Sequence, residues 1–427
     1  MCSSDLLLGI EARQAKTDAF LLLTVLVAMG GLAEAWMPPL GAAPLARRRW
    51  ILFWAAIGVG ILIKGPIVLM VAGLAALVLA VAGRSIGWLG RLRPWPGILI
   101  ALAIALPWLV AITISTHGAF IAQSLGDDMA AKLAGAKESH GAPPGAYLAM
   151  FPVTFWPGSL FALLALPWVW RNRRDRAVIF CLAWIIPSWL VFEAVPTKLP
   201  HYVVPLYPAL ALLAAKGLIA AAEEGMAVPR RWAAWLPAAL WALVAIALAG
   251  ALVGLPLALG HRASFGGGVA AAAVLAGLWH LLWHERARPS LGNAGIAVLV
   301  GLLVMGPAFA FVLPRIDAIW LSRSAAYLVG IERLPGERVV SSGYSEPSLV
   351  FLLGTDTGLV APAMAAADLI DGTAKLALVA DRQQPDFDAA LKTAGRAARP
   401  FGAVRGFDYS NGRWITLRLY RLAPAAP

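Results

Sequence analysis

Residues 50–83 read WILFWAAIGVGILIKGPIVLMVAGLAALVLAVAG, two apolar runs split by Lys64-Gly65-Pro66. Each run is short for a membrane span. A lysine, a glycine and a proline between them break any continuous helix. The stretch therefore predicts a tight helical hairpin whose turn lies at or just inside a membrane boundary.

Working outward, further apolar runs cover residues 17–36, 97–116, 146–170, 177–195, 202–222, 231–257, 266–284 and 293–313. With the hairpin they predict about ten helices and an α-helical multi-pass membrane protein. Composition agrees: of 427 residues, 60% are hydrophobic and 14% charged, and the mean hydropathy is +0.75. A soluble core of this size needs far less apolar surface.

The net charge of +12 suits nucleic acid in a soluble protein. Here the arginines cluster in short loops instead. Arg47–Arg49, Arg84 with Arg91 and Arg93, Arg171–Arg176, Arg230 with Arg231, and Arg286 with Arg288 fall in every second loop. That alternation sets one side as cytoplasmic and predicts no nucleic-acid partner. The opposite side receives the Lys64 turn, the long 117–145 loop, the Pro196–His201 loop and the C-terminal tail. Cys2 and Cys181 are far apart and imply neither redox chemistry nor a zinc site.

From about residue 315 the composition changes. ERVVSSGYSEPSLVFLLGTDTGLV (337–360) carries short β-rich runs broken by turn signals. AKLALVADRQQPDFDAALKTAG (374–395) pairs a strand with a helix, and WITLRLYRL (414–422) alternates like a last strand. A small soluble α/β domain over 315–427 follows, with the membrane domain over 9–314. Residues 1–8 read as a non-native leader, similar to a translated adapter remnant.

Ionisable groups near membrane depth are costly. On the outer side they are Lys16, Asp18, Lys64, Asp127, Asp128, Lys132, Lys137, Glu138, His140, Lys198, His201 and Tyr202. Each has a plain alternative. Thr17-Asp18 serves as a helix cap, Lys64 and Lys198 as interfacial anchors, Asp127 and Asp128 as a solvated helix face, and His140 as a turn residue. Their convergence on one side points instead to a site where an anionic headgroup meets a polar acceptor. PTKLPHYVVPLYPALALL (196–213) is its clearest unit, placing a lysine and a phenol just ahead of a helix start. No Walker loop or nucleotide fingerprint is present.

KLPHYVVPLYPALALLAA (198–215) resembles the KLP-x-Y segment of the aminoarabinose-type lipid A glycosyltransferases. These are relatives of the dolichyl-phosphate-mannose protein mannosyltransferases, in the integral-membrane GT-C class. AKTDAFLLL (15–23), IKGPIVL (63–69), the 125–160 loop and SSGYSEPSLVFLLGTDT (341–357) are similar in the same order. The resemblance implies transfer of a sugar from an undecaprenyl (polyprenyl) phosphate donor to a lipid A, glycan or protein acceptor. It also implies a bacterial inner-membrane location with a periplasmic C-terminal domain and membrane lipids as partners. By the same likeness Asp18 is the candidate catalytic residue, and Lys64, Lys132, Lys198 and Tyr202 are the candidate donor-binding residues. Asp128, His140 and His201 are further site candidates. Lys132 stands where the family has an arginine, keeping the charge but not the bidentate fork.

The family's catalytic aspartate and its Glu-Lys-Pro motif lie in a first outer loop that has no counterpart in these residues. The family has about thirteen membrane helices, so the chain is expected to lack three helices and the general base, and to be inactive alone. A divalent cation (magnesium, manganese or zinc) is the one cofactor the family suggests, and the sequence gives no ligand set for it. A transporter or flippase of a lipid-linked saccharide, and a non-catalytic assembly factor, are the competing readings. A transporter predicts inverted repeats, which the sequence does not clearly show.

Overall fold

The hairpin forms as its residues dictate. In the computed structural model, which describes residues 5–14, 16–38, 45–122, 142–223, 231–260, 262–284 and 290–423, Arg47–Lys64 is one helix and Ile67–Gly83 the next. Gly65 joins them at φ +61°, ψ −132°, a conformation essentially confined to glycine. Its amide still donates to Ile61 O, and Pro66 opens the second helix. The two helices close tightly: a Cβ on Gly60 would lie 2.6 Å from Val68 Cγ1.

The longer helices ahead of residue 308 are α1 (Leu6–Glu11), α2 (Asp18–Trp36), α3 (Arg47–Lys64), α4 (Ile67–Gly83), α5 (Pro94–Ser115), α6 (Ala146–Thr154), α7 (Ser159–Arg171), α8 (Arg176–Ala194), α9 (Tyr207–Glu223), α10 (Arg231–Gly260), α11 (Phe265–Trp279) and α12 (Leu291–Pro307); they form the first unit except for Ala251–Gly268. Among the described residues seven helices are long and apolar enough to span a bilayer, eight if a bent pair is counted as one span. The chain is an integral membrane protein. The expected single span over 146–170 is that bent pair, α6 and α7, broken by 119°. Helix α4 has 17 residues, and α3 opens on three arginines. Both fall below a strict span criterion, as the hairpin reading anticipates.

Helix α2 packs against α3 and α4, α3 against α5, α4 against α8, and α7 against α9. Leu21, Val25, Ala28, Met29 and Leu32 of α2 meet Val68, Val71, Ala75 and Leu79 of α4 in one buried cluster. Helix α5 lies at an edge, with Leu99, Val110 and Ile114 exposed, as suits side chains facing lipid. Residues 5–8 are partly folded in: Asp5 caps α1 by accepting from Leu8 N, and Leu6 and Leu7 are buried. Burial pushes the Asp5 carboxyl up to about 7.

By packing, the second unit comprises Ala251–Gly268 and Ala308–Pro427, whereas composition alone sets the change at 315. Its sheet has the order β2-β1-β3-β5-β4, built from β1 (Val339–Ser342), β2 (Gly358–Leu359), β3 (Leu376–Ala380), β4 (Ala398–Asp408) and β5 (Arg413–Leu422). Strands β2, β1 and β3 run parallel, and β5 and β4 are antiparallel additions. Strand alternation splits the core into two layers. Leu376 and Leu378 face α13 (Leu321–Glu332) and α14 (Pro347–Leu353). Ala377 and Val379 face α15 (Pro362–Ile370) and α16 (Gln384–Thr393). The run PSLVFLL, expected to be β-rich, is the helix α14. Glu346 ahead of Pro347 gives it a helix start, and Gly354 stops it.

Candidate functional site

Four separate pieces of the first unit end together. Glu11 closes α1, Asp18 opens α2, Lys64 closes α3, and His201 and Tyr202 lie on the 3₁₀ turn Pro200–Leu206. Two of these ends suit their charges. A carboxylate in the first turn of α2 and an ammonium in the last turn of α3 both complement the helix dipole. Pro200 restricts the turn that carries the imidazole and the phenol.

Lys64 Nζ donates to Asp18 Oδ1 at 2.5 Å. Thr17 stands at the N-cap of α2 but its side chain makes no capping bond. The acidic residue is therefore turned to Lys64. The Lys64 ammonium also lies 5.5 Å from the centre of the Tyr202 ring, a cation–π distance. The His201 and Tyr202 rings meet edge-on with centroids 5.1 Å apart.

His201 sits between two carboxylates. Its Nδ1 is 3.7 Å from Glu11 Oε1 and its Nε2 is 3.9 Å from Asp18 Oδ2. Side-chain exposure is 5% for Glu11, 7% for Asp18 and 11% for His201. Lys16 Nζ lies 4.0 Å from Glu11 Oε1 and is half exposed. Burial raises the Glu11 pKa, an effect the Lys16 charge opposes. Glu11 Oε2 is buried without a hydrogen-bond partner. Glu11 is not among the residues the sequence singles out. The signal was an acidic residue directly after the apolar run LLLGI.

Glu11, Asp18 and His201 offer ligand atoms within 4.8 Å of one another, the right donor types for a divalent cation. Each carboxylate lies nearest a different ring nitrogen, while one imidazole nitrogen is still within 4.8 Å of an oxygen of both. Lys64 already neutralises Asp18. No step is therefore derived through a metal.

Lys198 is placed differently. Its Nζ donates to the carbonyls of Glu193 at 2.9 Å and Val195 at 2.7 Å, capping the end of α8. The Glu193 carboxylate in turn accepts from the amides of Gly145, Tyr147 and Leu148, the start of α6. This buried knot ties the end of α8 to the start of α6. Lys132, Asp128 and His140 lie outside the described residues.

No family model matches the chain. The crystal structure of ArnT from Cupriavidus metallidurans bound to undecaprenyl phosphate superposes with a TM-score of 0.68 at 17% identity, covering 98% of this chain and 77% of that one. The chain has the ArnT fold. The apo structure of the same protein gives 0.65 over 94% of this chain. In sequence, the undecaprenyl phosphate-alpha-4-amino-4-deoxy-L-arabinose arabinosyl transferase of Pseudomonas aeruginosa strain UCBPP-PA14 is 29% identical over 205 residues, 47% of this chain and 36% of that protein. Its counterpart in Aeromonas salmonicida strain A449 is 28% identical over 238 residues, 55% of this chain and 42% of the relative. The matched stretch thus spans well under half the length of these curated relatives.

Proposed function

We propose that the chain works as a polyprenyl-phosphate-dependent glycosyltransferase of the bacterial inner membrane. It would take a sugar from undecaprenyl phosphate and place it on a lipid A, glycan or protein hydroxyl, with residues 315–427 on the periplasmic side. The observation that carries this reading is the Asp18–Lys64 pair beside the Tyr202 ring, set in the ArnT fold. A lysine held at a helix end by a buried carboxylate is a cation kept in place for an incoming phosphate.

In the proposed reaction Lys64 and Tyr202 hold the donor phosphate, and Lys132 adds a second cation from the outer loop. The acceptor oxygen attacks the anomeric carbon from the face opposite the phosphate, inverting the centre. The carbon–oxygen bond to phosphate breaks, and the charge developing on the lipid phosphate is met by the lysines. Asp18 keeps Lys64 aimed. Lys198 supports the turn that presents Tyr202.

The test is transfer by the full chain in proteoliposomes supplied with radiolabelled polyprenyl-phosphate sugar and lipid A. Label moving to lipid A, or to another added glycan or protein acceptor, supports the reading. Label crossing the bilayer on its intact carrier, without transfer, favours a flippase and overturns it.

A further inference from the structure

We infer that the exposed face of the β4–β5 ribbon is a docking surface for a phosphate-bearing saccharide. Binding there is a property of the second unit alone. That the saccharide is the acceptor rests on the proposed function.

The face follows from register. Antiparallel partners share a side of the sheet, and successive residues alternate between sides. Ala403 pairs with Arg418, Arg405 with Thr416, and Phe407 with Trp414. The residues between them, Val404, Ile415 and Leu417, turn inward to the layer of α13 and α14. The three pairs therefore lie on the opposite face. Toward Tyr420 that face is closed by Phe387 and Leu391 of α16. Toward the hairpin tip it is open: Ala403 and Arg405 are exposed, as is 45% of Trp414.

The open part alternates cations and rings. Arg405 stands diagonal to both Trp414 and Arg418 in the ladder, a Cβ separation of about 7–8 Å. Its guanidinium lies 5.6 Å from the centre of the Trp414 ring, a contact that aims the cation along the ring. The Phe407 and Trp414 rings meet with centroids 5.9 Å apart at 67°.

The positive charge is left unanswered. Arg418 donates to the neutral Gln384. Among the described residues the arginine ion pairs involve Arg49, Arg333 and Arg421 instead. Asp408, the one acidic residue of the two strands, is buried on the other face and bonded to Asn411. Asp381, beside Thr416, has both carboxylate oxygens on backbone amides, those of Arg382 at 2.9 Å and Thr416 at 3.2 Å. Two guanidiniums thus face solvent without a carboxylate of their own.

Each part of the face selects a part of the ligand. A guanidinium fork matches two phosphate oxygens at once, and two forks at this spacing straddle one phosphate. A pyranose presents an apolar C–H face that packs on an indole while its hydroxyls stay in water. The Thr416 hydroxyl, on the same side, can donate to or accept from such a hydroxyl. A bilayer surface calls instead for an apolar stripe that enters the acyl region. Here the apolar groups are two rings flanked by cations. Single-stranded nucleic acid also uses rings and cations, and is therefore a competitor in the test.

Binding is measured on the full chain in phosphatidylcholine nanodiscs, with no sugar donor present. Immobilised phosphomannan, a phosphate-bearing polysaccharide, is compared with neutral mannan. The wild type should bind phosphomannan about tenfold more tightly than mannan. Mannose 6-phosphate should release it at a lower concentration than inorganic phosphate does. Arg405→Gln combined with Arg418→Gln, and separately Trp414→Ala, should each weaken capture by about tenfold at an unchanged melting temperature. Arg405→Lys should lose less. If the paired variant is unstable, Arg405→Gln alone, at an exposed position, takes its place. Equal capture on mannan, equal release by inorganic phosphate, or wild-type capture by the stable variants overturns the inference. So does release by phosphatidylglycerol vesicles or single-stranded DNA at lower concentration than by phosphomannan, and so does a wild type that is not captured.

Transfer to lipid A in proteoliposomes separates this inference from the reading it rests on. The paired variant should raise the acceptor KM about tenfold with kcat little changed. An unchanged KM in a chain that transfers sugar overturns the acceptor role. A wild type that binds phosphomannan yet transfers nothing refutes the transferase reading and leaves the docking surface standing.

Discussion

Lys64 and Asp18 are 46 residues apart in the chain, yet their charged atoms meet at 2.5 Å. The contact links the first turn of one membrane helix to the last turn of the next. Asp18 is buried while 28% of the Lys64 side chain is exposed. Removing one partner strands a buried charge. Lys64→Met should cost on the order of 2–3 kcal/mol, below the figure for a fully buried pair because water reaches the ammonium. Pairing it with Asp18→Asn should recover part of that loss. Unfolding of the two variants in one detergent checks both statements.

The Gly65 turn sets where Lys64 points. At φ +61°, ψ −132° an alanine is strained by roughly 1–3 kcal/mol, although no atom crowds the position. Gly65→Ala should lower the melting temperature and weaken polyprenyl-phosphate binding together. An unchanged affinity would show that the turn does not position the lysine.

Glu193 and Lys198 should behave as structural residues. Glu193→Ala leaves the amides of Gly145, Tyr147 and Leu148 without their carboxylate. About 2–3 kcal/mol of stability should go with it. Lys198→Met removes two donors to carbonyls and should cost about 1–2 kcal/mol while leaving polyprenyl-phosphate affinity within about twofold. A large loss of affinity in a stable Lys198→Met protein would return that lysine to the binding site.

In the second unit Arg421 grips Glu337 through Nη1 at 2.6 Å and Nη2 at 2.8 Å. These bonds hold the Glu337 carboxyl below its ordinary range. A depressed folded-state pKa stabilises fully above the unfolded value and is lost as pH falls through the folded one. Hydrogen-exchange protection of β5 should therefore drop in acid, below about pH 4.5. Glu337→Gln should start less protected and lose less on acidification. Parallel pH curves for the two proteins would contradict this.

The hairpin, the spans and the β3–α16 unit were legible because each rests on local signals: an apolar run, a Lys-Gly-Pro break, a change from helical to alternating period. The α6–α7 bend was not, since FPVTFWPGSL (151–160) keeps its hydropathy through the turn. PSLVFLL misled because a short apolar run carries no period, and the cap at Glu346-Pro347 decided it. In the site, Asp18, Lys64, His201 and Tyr202 could be gathered on one side by topology. Glu11 could not, because its role depends on burial and on an imidazole 190 residues away, which no spacing reveals. Lys198 shows the converse: a lysine in a telling motif whose ammonium is spent on backbone carbonyls.

The central claim is that Lys64 and Tyr202 receive a polyprenyl phosphate. Photolabelling of the full chain in nanodiscs, with a polyprenyl phosphate carrying a diazirine beside the phosphate, tests it most directly. The account predicts saturable labelling of peptides bearing Lys64 or Tyr202, competed by undecaprenyl phosphate and lost in Lys64→Ala. Labelling elsewhere, or labelling equally competed by phosphatidylglycerol, would contradict it.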